Sequence, residues 1–235
     1  MSDRDRIRDA VAGDAALTWV ITGDSIGQGL VHTGPFRNYG EHLAEALRGE
    51  LWRTHDAIIN TAVGGWRLGQ VLDAWERKVA DWNPDVVLLM TCGNDCSTGP
   101  DRDTLDPEHF GIQLGTFITD VRAMGAIPLV QVSPAPLLPQ ARGRERFAEF
   151  AQTMRTVCEA QDALLIDHAH DFAQLAEEMG EPHPWVLMSD AVHPNAAGHA
   201  HIARALLRLV NAAAPRVMQT LDGMLAMPLA YTQRP

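Results

Sequence analysis

Cysteine is scarce in this chain of 235 residues, basic residues are outnumbered, and no long apolar run occurs. The cysteines are Cys92, Cys96 and Cys158, and an odd, sparse set of three makes no disulfide framework. Cys92 and Cys96 are too far apart for a C-x-x-C redox motif and lack the further ligands of a zinc site, so they read as small, partly buried apolar residues. Lys and Arg number 19 against 30 Asp and Glu, a formal net charge of -11, so a polyanion meets net repulsion and nucleic acid is not an expected partner. No apolar run approaches the ~18 residues of a membrane span. The charged start, MSDRDRIRDAVAGDAA, has no apolar stretch of a secretory signal. The expectation is a soluble, reduced, cytoplasmic protein.

What the chain does have is core-forming material: hydrophobic residues are 46% and charged residues 21%, which argues against disorder. Short apolar runs alternate with longer amphipathic stretches. The runs are LTWVIT (17–22), AIIN (57–60), DVVLLM (85–90), AIPLVQV (126–132) and ALLID (163–167). Their length and near-continuous apolarity predict strands buried on both faces of a parallel sheet. Helices are predicted over 39–50, 68–82, 107–124 and 144–161. In the second, Leu68, Val71, Leu72, Trp75 and Val79 form one stripe. A last helix is expected after Asn195, which can cap it. Alternating strands and helices imply right-handed crossovers and a three-layer α/β/α domain. No repeat or low-complexity linker interrupts the pattern. Residues 1–214 therefore read as a single domain that begins with a short charged segment, and 215–235 as a C-terminal extension. That extension either packs back on the domain or serves as an oligomer arm or site cover.

In open α/β sheets ligands bind at the carboxyl ends of the strands. The first strand is followed there by Gly23-Asp24-Ser25-Ile26-Gly27, the second by Asn60-Thr61-Ala62-Val63-Gly64-Gly65, and the third by Thr91-Cys92-Gly93-Asn94-Asp95. Near the C-terminus lies Ser189-Asp190-Ala191-Val192-His193-Pro194. Acyl transfer needs these kinds of group. A serine hydroxyl is a weak nucleophile until a base takes its proton. A histidine, with a reference pKa of about 6.5, can do so at neutral pH. A carboxylate fixes that histidine's tautomer, and backbone N–H groups or an Asn amide stabilise the oxyanion.

These blocks resemble those of the GDSL esterase, or SGNH hydrolase, superfamily, in the family's order and across residues 23–194. The resemblance implies a flavodoxin-like parallel sheet of about five strands, ordered 2-1-3-4-5. GDSI (23–26) makes Ser25 the implied nucleophile and its N–H an oxyanion donor. NTAVGG (60–65) makes Gly65 the implied backbone donor, and GND (93–95) makes Asn94 the amide donor. DAVHP (190–194) supplies His193 as base and Asp190 as its orienting carboxylate. The first block carries Ile26 where the family has leucine. Cys92 stands where the third block usually has glycine, which leaves the local turn open.

The implied activity is hydrolysis of a carboxylic ester through an acyl-enzyme, without metal or organic cofactor, on a small-molecule substrate. The form of the second block is similar to that of sugar acetylesterases, which points to a short acyl or acetyl group on a sugar or small metabolite. An acyltransferase with the same residues, and a non-catalytic binding module, are the alternatives. Trp66, Trp185 and Arg142 are candidate substrate contacts. Asp24 and Asp95 are expected to bond backbone groups in their turns. Asp167-His168-Ala169-His170-Asp171 resembles a metal cluster but reads as a polar loop with a helix cap at Asp171. His199 and His201 are expected to be exposed or half-buried on the last helix.

Overall fold

The computed structural model describes residues 1–29, 31–99, 103–180, 184–210 and 214–226. A first helix, α1 (Asp3–Ala12), leads into β1 (Thr18–Gly23), the single turn α2 (Ser25–Gln28) and α3 (Tyr39–Gly49). Next come β2 (Ala57–Asn60), α4 (Leu68–Asp73), α5 (Trp75–Lys78) and β3 (Val86–Thr91). The chain continues through α6 (Pro107–Ala123), β4 (Ile127–Val132), α7 (Phe147–Ala160), β5 (Leu164–Asp167) and α8 (His168–Glu178). It closes with α9 (Ala196–Leu209) and α10 (Pro215–Ala226).

The strands pair in parallel in the order β2-β1-β3-β4-β5. Period-two alternation splits their side chains between two cores. Trp19, Ile21, Leu88, Met90 and Leu129 pack with α1, α3, α8, α9 and α10 on one face. Val20, Val87, Leu89, Val130 and Val132 pack with α4, α6 and α7 on the other. Fully burying a Phe such as Phe110 or Phe117 contributes roughly 2–3 kcal/mol. Register places Ile21 opposite Asn60 and Gly23 opposite Met90, so the carboxyl ends of the first three strands open at one edge. Arg53 and Asp56, both buried, tie the entry to β1. Arg53 donates to Asp56 and to the carbonyls of Val11, Gly13 and Ala15, while Asp56 accepts from Leu17 N–H and the Trp19 indole. Removing one member of such a buried pair typically costs about 3–5 kcal/mol.

The structure differs from the sequence reading in four places. β2, read as buried on both faces, is an edge strand whose residues are exposed or half-buried. The single helix expected over 68–82 is broken into α4, α5 and a 3-10 turn at Ala80–Trp82. Its apolar stripe still faces the core. The Thr61 hydroxyl captures the Lys78 carbonyl at 2.8 Å, the Lys78 ammonium returns to the Thr61 carbonyl at 2.9 Å, and Asn83 ends the segment at φ 44°. The helix cap expected at Asp171 falls at Asp167, whose carboxylate accepts from His170 N–H at 3.1 Å. His199, expected to be exposed or half-buried, is fully buried where α3 packs on α9, with the Tyr39 ring stacked on it and its Nδ1 accepting the Tyr39 N–H at 3.3 Å.

Within the C-terminal segment, Val217 and Leu221 of α10 join the core against α9, and Glu50 accepts the N–H groups of Arg216 and Val217. Residues 227–235 lie outside the described residues. Among the described residues, no helix is long and apolar enough to cross a membrane.

Candidate active site

The site begins with a backbone constraint at the end of β1. Gly23 has φ 120°, and a Cβ there would lie 1.9 Å from the Met90 carbonyl oxygen. Only glycine permits that approach, which lets Asp24 N–H reach the same oxygen at 3.3 Å. Asp24 then caps α2 by accepting Ile26 N–H at 2.9 Å, and Ser25 stands at the first position of that turn. Burial, with the charge of Asp95 adding to it, pushes the Asp24 carboxyl up to about 7.

The loop after the 3-10 turn Trp185–Leu187 carries the histidine. It is closed by Ser189 N–H donating to the His193 carbonyl at 2.8 Å, and by Leu137 N–H donating to the Ala191 carbonyl at 2.8 Å. Asn195 accepts from Ala197 and Gly198 N–H at the start of α9, the cap read from the sequence, and its amide ties back to Val186 and Met188.

Ser25 Oγ lies 2.9 Å from His193 Nε2. His193 Nδ1 lies 2.9 Å from Asp190 Oδ2. The carboxylate can accept only from a protonated Nδ1, which leaves Nε2 as the acceptor for the serine hydroxyl. Asp190 Oδ1 also accepts Val192 N–H at 2.7 Å and His193 N–H at 2.8 Å. Burial alone raises the Asp190 carboxyl. The bond from His193 and the two backbone donors outweigh it and hold the group well below the usual carboxylate range.

The second and third blocks are bound to one another. Asn94 donates through Nδ2 to the Trp66 carbonyl at 3.1 Å, which fixes the amide's orientation and leaves its other N–H for a second acceptor. Asp95 accepts from Leu68 N–H, Cys92 N–H and the Thr91 hydroxyl. Cys92 adopts φ 105°, so the turn keeps a backbone shape that favours glycine although a side chain is present. Gly65 has φ 81°. Two arginines that the sequence did not single out for this role hold the assembly. Arg67 donates to the carbonyls of Asn94, Ser97 and Asp103, and Arg144 donates to the Gly93 carbonyl at 3.0 Å.

A profile of the GDSL-like lipase/acylhydrolase family matches residues 21–201, which include all four blocks. The chain belongs to this family. An acetylxylan esterase of Geobacillus stearothermophilus is 24% identical over 159 residues, spanning 64% of this chain and 70% of that protein. Among solved structures, an alpha/beta hydrolase enzyme from the metagenome of Lake Arreo, Spain, aligns with TM-score 0.71 at 24% identity, over 86% of this chain and 98% of that one. The acetyl xylan esterase AlAXEase aligns with TM-score 0.69 at 20% identity, over 82% and 98%. Membership makes the protein a carboxylic ester hydrolase.

Two spaces adjoin these side chains of this GDSL-like esterase, one beside Ser25 and one beside Asp190. A recess of about 10 Å³ is lined by Ser25, Ile26, Asn94, Ser133, Pro134 and Val192, among others, and has room for roughly one water-sized group. A cleft of about 430 Å³ is lined by Val31, His32, Thr33, Phe36, Ser189 and Asp190, among others. That volume suits a small ligand. The candidate contacts fare differently. Trp66 contributes its carbonyl to Asn94 while the Lys78 ammonium sits 4.8 Å above its ring. Trp185 packs against the core, and Arg142 is exposed.

His32, Asp190 and His193 have ligand atoms within 4.8 Å of one another. The two imidazoles are face-stacked, with centroids 3.9 Å apart and planes 5° from parallel. Nitrogen lone pairs lie in the ring planes, so near-parallel rings cannot both aim at one ion ~2 Å away. His168 and His170 also diverge. His168 is fully buried against Gln131 Oε1 at 3.1 Å, and His170 is exposed.

Proposed function

We propose that the protein hydrolyses acetyl or similarly short acyl esters of a small sugar or metabolite through an acyl-enzyme on Ser25. The Ser25–His193–Asp190 geometry carries the reading. Ser25 Oγ attacks the ester carbonyl as His193 Nε2, 2.9 Å away, takes its proton. Asp190 keeps the imidazole in the accepting tautomer and stabilises the imidazolium. Negative charge on the carbonyl oxygen is met by the N–H groups of Ser25 and Gly65 and by the second amide N–H of Asn94. His193 then gives its proton to the leaving alcohol, water attacks the acyl-enzyme with His193 again as base, and Ser25 is released. None of these steps calls on a metal or organic cofactor.

The acyl preference rests on the contrast of the two spaces. The recess beside Ser25 accommodates little more than a methyl group, whereas the 430 Å³ cleft beside His32 and Asp190 can receive the alcohol part. The acetylxylan esterase of Geobacillus stearothermophilus and AlAXEase carry names consistent with a short acyl group.

Hydrolysis of p-nitrophenyl acetate, butyrate and octanoate by the wild type and Ser25→Ala tests both parts. The expected order is acetate first, with octanoate slower by at least about 10-fold, and Ser25→Ala slower on the order of 10⁶-fold. Equal or faster turnover of octanoate overturns the short-acyl reading. Robust hydrolysis by Ser25→Ala overturns the mechanism.

A further inference from the structure

His32 lies in the loop between α2 and α3, and its side chain is four-fifths buried against the catalytic histidine. Its Nδ1 lies 3.4 Å from Ser189 Oγ and 3.8 Å from Asp190 Oδ2. Asp190 is 47% exposed, so the carboxylate that orients His193 is open to water. Hydrogen bonds at Nδ1 and Nε2 anchor the imidazole along one axis and leave it a tilt about its broad terminal torsion. The parallel ring of His32 covers one of its two faces.

We propose that His32 is a positioning residue for ester hydrolysis, which holds the His193 ring between Asp190 and Ser25 by stacking while neutral and disables the site when protonated. The inference rests on the mechanism above. A displacement of about 1 Å at a reacting group costs on the order of 10²-fold in rate, so loss of the covering ring falls mainly on kcat.

The groups facing His32 set its charge. Burial and the neighbouring His193 lower its pKa, and Asp190 opposes them. Ser189 is uncharged, and His199 on α9 is held neutral by its own burial, its pKa pushed down to about 3. With its pKa held below the usual imidazole range, His32 is neutral at pH 8. In acid, a proton on His32 sets a cation 3.9 Å from the imidazolium that forms during attack, and offers Asp190 a second partner. A proton on His193 occupies the nitrogen that must accept from Ser25, and a proton on His32 sets a cation against that ring, so either one disables the site. The acid limb of kcat/KM therefore steepens from first toward second order in protons.

The test compares wild type, His32→Ala and His32→Phe on p-nitrophenyl acetate over the pH range in which circular dichroism is unchanged. Phe keeps a flat ring and has no nitrogen. At pH 8, His32→Ala is expected to lose roughly 10- to 100-fold in kcat with KM changed less than about threefold, and His32→Phe to keep most of the activity. Both variants are expected to show a first-order acid limb where the wild type approaches second order. Wild-type kcat in His32→Ala, equal losses in the two variants, or a first-order wild-type limb each overturns the proposal. A fluorophosphonate probe separates this from the underlying mechanism. Absence of both Ser25 labelling and ester hydrolysis in the wild type defeats the esterase mechanism. An active, labelled wild type with unaffected His32 variants defeats only the role of His32.

Discussion

Replacing Asp190 with Asn tests the catalytic geometry with little disturbance to the fold. An Asn carbonyl can still accept Val192 N–H and His193 N–H, held at 2.7 and 2.8 Å by the native Oδ1, so the turn is retained. The amide NH₂ then faces His193 Nδ1 in place of the carboxylate oxygen 2.9 Å away. Two losses follow. Nδ1 must become an acceptor, which puts the ring proton on Nε2 and removes the base for Ser25. The imidazolium also loses a neighbouring negative charge. A unit pair about 4 Å apart is worth about 4 kcal/mol at an effective dielectric of 20 and about 1 kcal/mol in water. With Asp190 47% exposed, the value lies between these limits. Together the losses predict a fall in kcat of about 10³-fold. The ceiling is the roughly 10⁴-fold loss known for the same change in another serine triad. The assay is steady-state hydrolysis of p-nitrophenyl acetate at pH 8, with thermal unfolding as the control for folding. A well-folded Asp190→Asn enzyme within 10-fold of wild type would refute the assignment of tautomer control to Asp190.

Two further outcomes are expected. Asn94→Ala removes the amide while the neighbouring turn stays tied by Arg67 and Asp95. Its kcat should fall roughly 10²- to 10³-fold with little change in KM, and an unchanged kcat excludes the amide from the oxyanion site. Stability should also depend on pH through buried histidines. Burial pushes the pKa values of His168 and His199 down to about 3 and that of His201 to about 4. The unfolded chain binds more protons between these values and about 6.5, so their contribution is present above pH 6.5 and is lost as pH falls. Asp24, pushed up to about 7, acts in the opposite sense, its contribution being lost as pH rises through 7, as do Asp95 and Asp171, whose carboxyls burial also raises; against these three stand five histidines, because burial lowers His32 and His42 as well. The urea midpoint should therefore drop between pH 7 and pH 4, and a flat or rising midpoint contradicts the account.

Much of this architecture was written locally. Strands buried on both faces must be continuously apolar, which made 17–22, 85–90 and 126–132 readable, and the observed β1, β3 and β4 lie within a residue of them. The order of the sheet followed from family resemblance and was found as expected. Asn195 announced its helix because a cap acts within three residues. The features that escaped depend on partners far away in sequence. The break at Lys78 is made by Thr61 across a separation of 17 residues, and the burial of His199 by Tyr39 across 160. Arg142 was the candidate contact in this stretch, but only the fold shows that Arg144, two residues on, reaches the third block.

The residue types of the site were fixed by local sequence, since a Gly-Asp-Ser turn, paired glycines, an Asn and an Asp-x-x-His each carry their chemistry within a few residues. Their convergence was decided by tertiary structure. Ser25 and His193 are 168 residues apart and meet at 2.9 Å because strand register and the loop before α9 bring them to the same edge of the sheet. The stacking of His32 on His193 belongs wholly to that second level. A single histidine in a turn carries no local pattern, and its partner is chosen by how the chain packs.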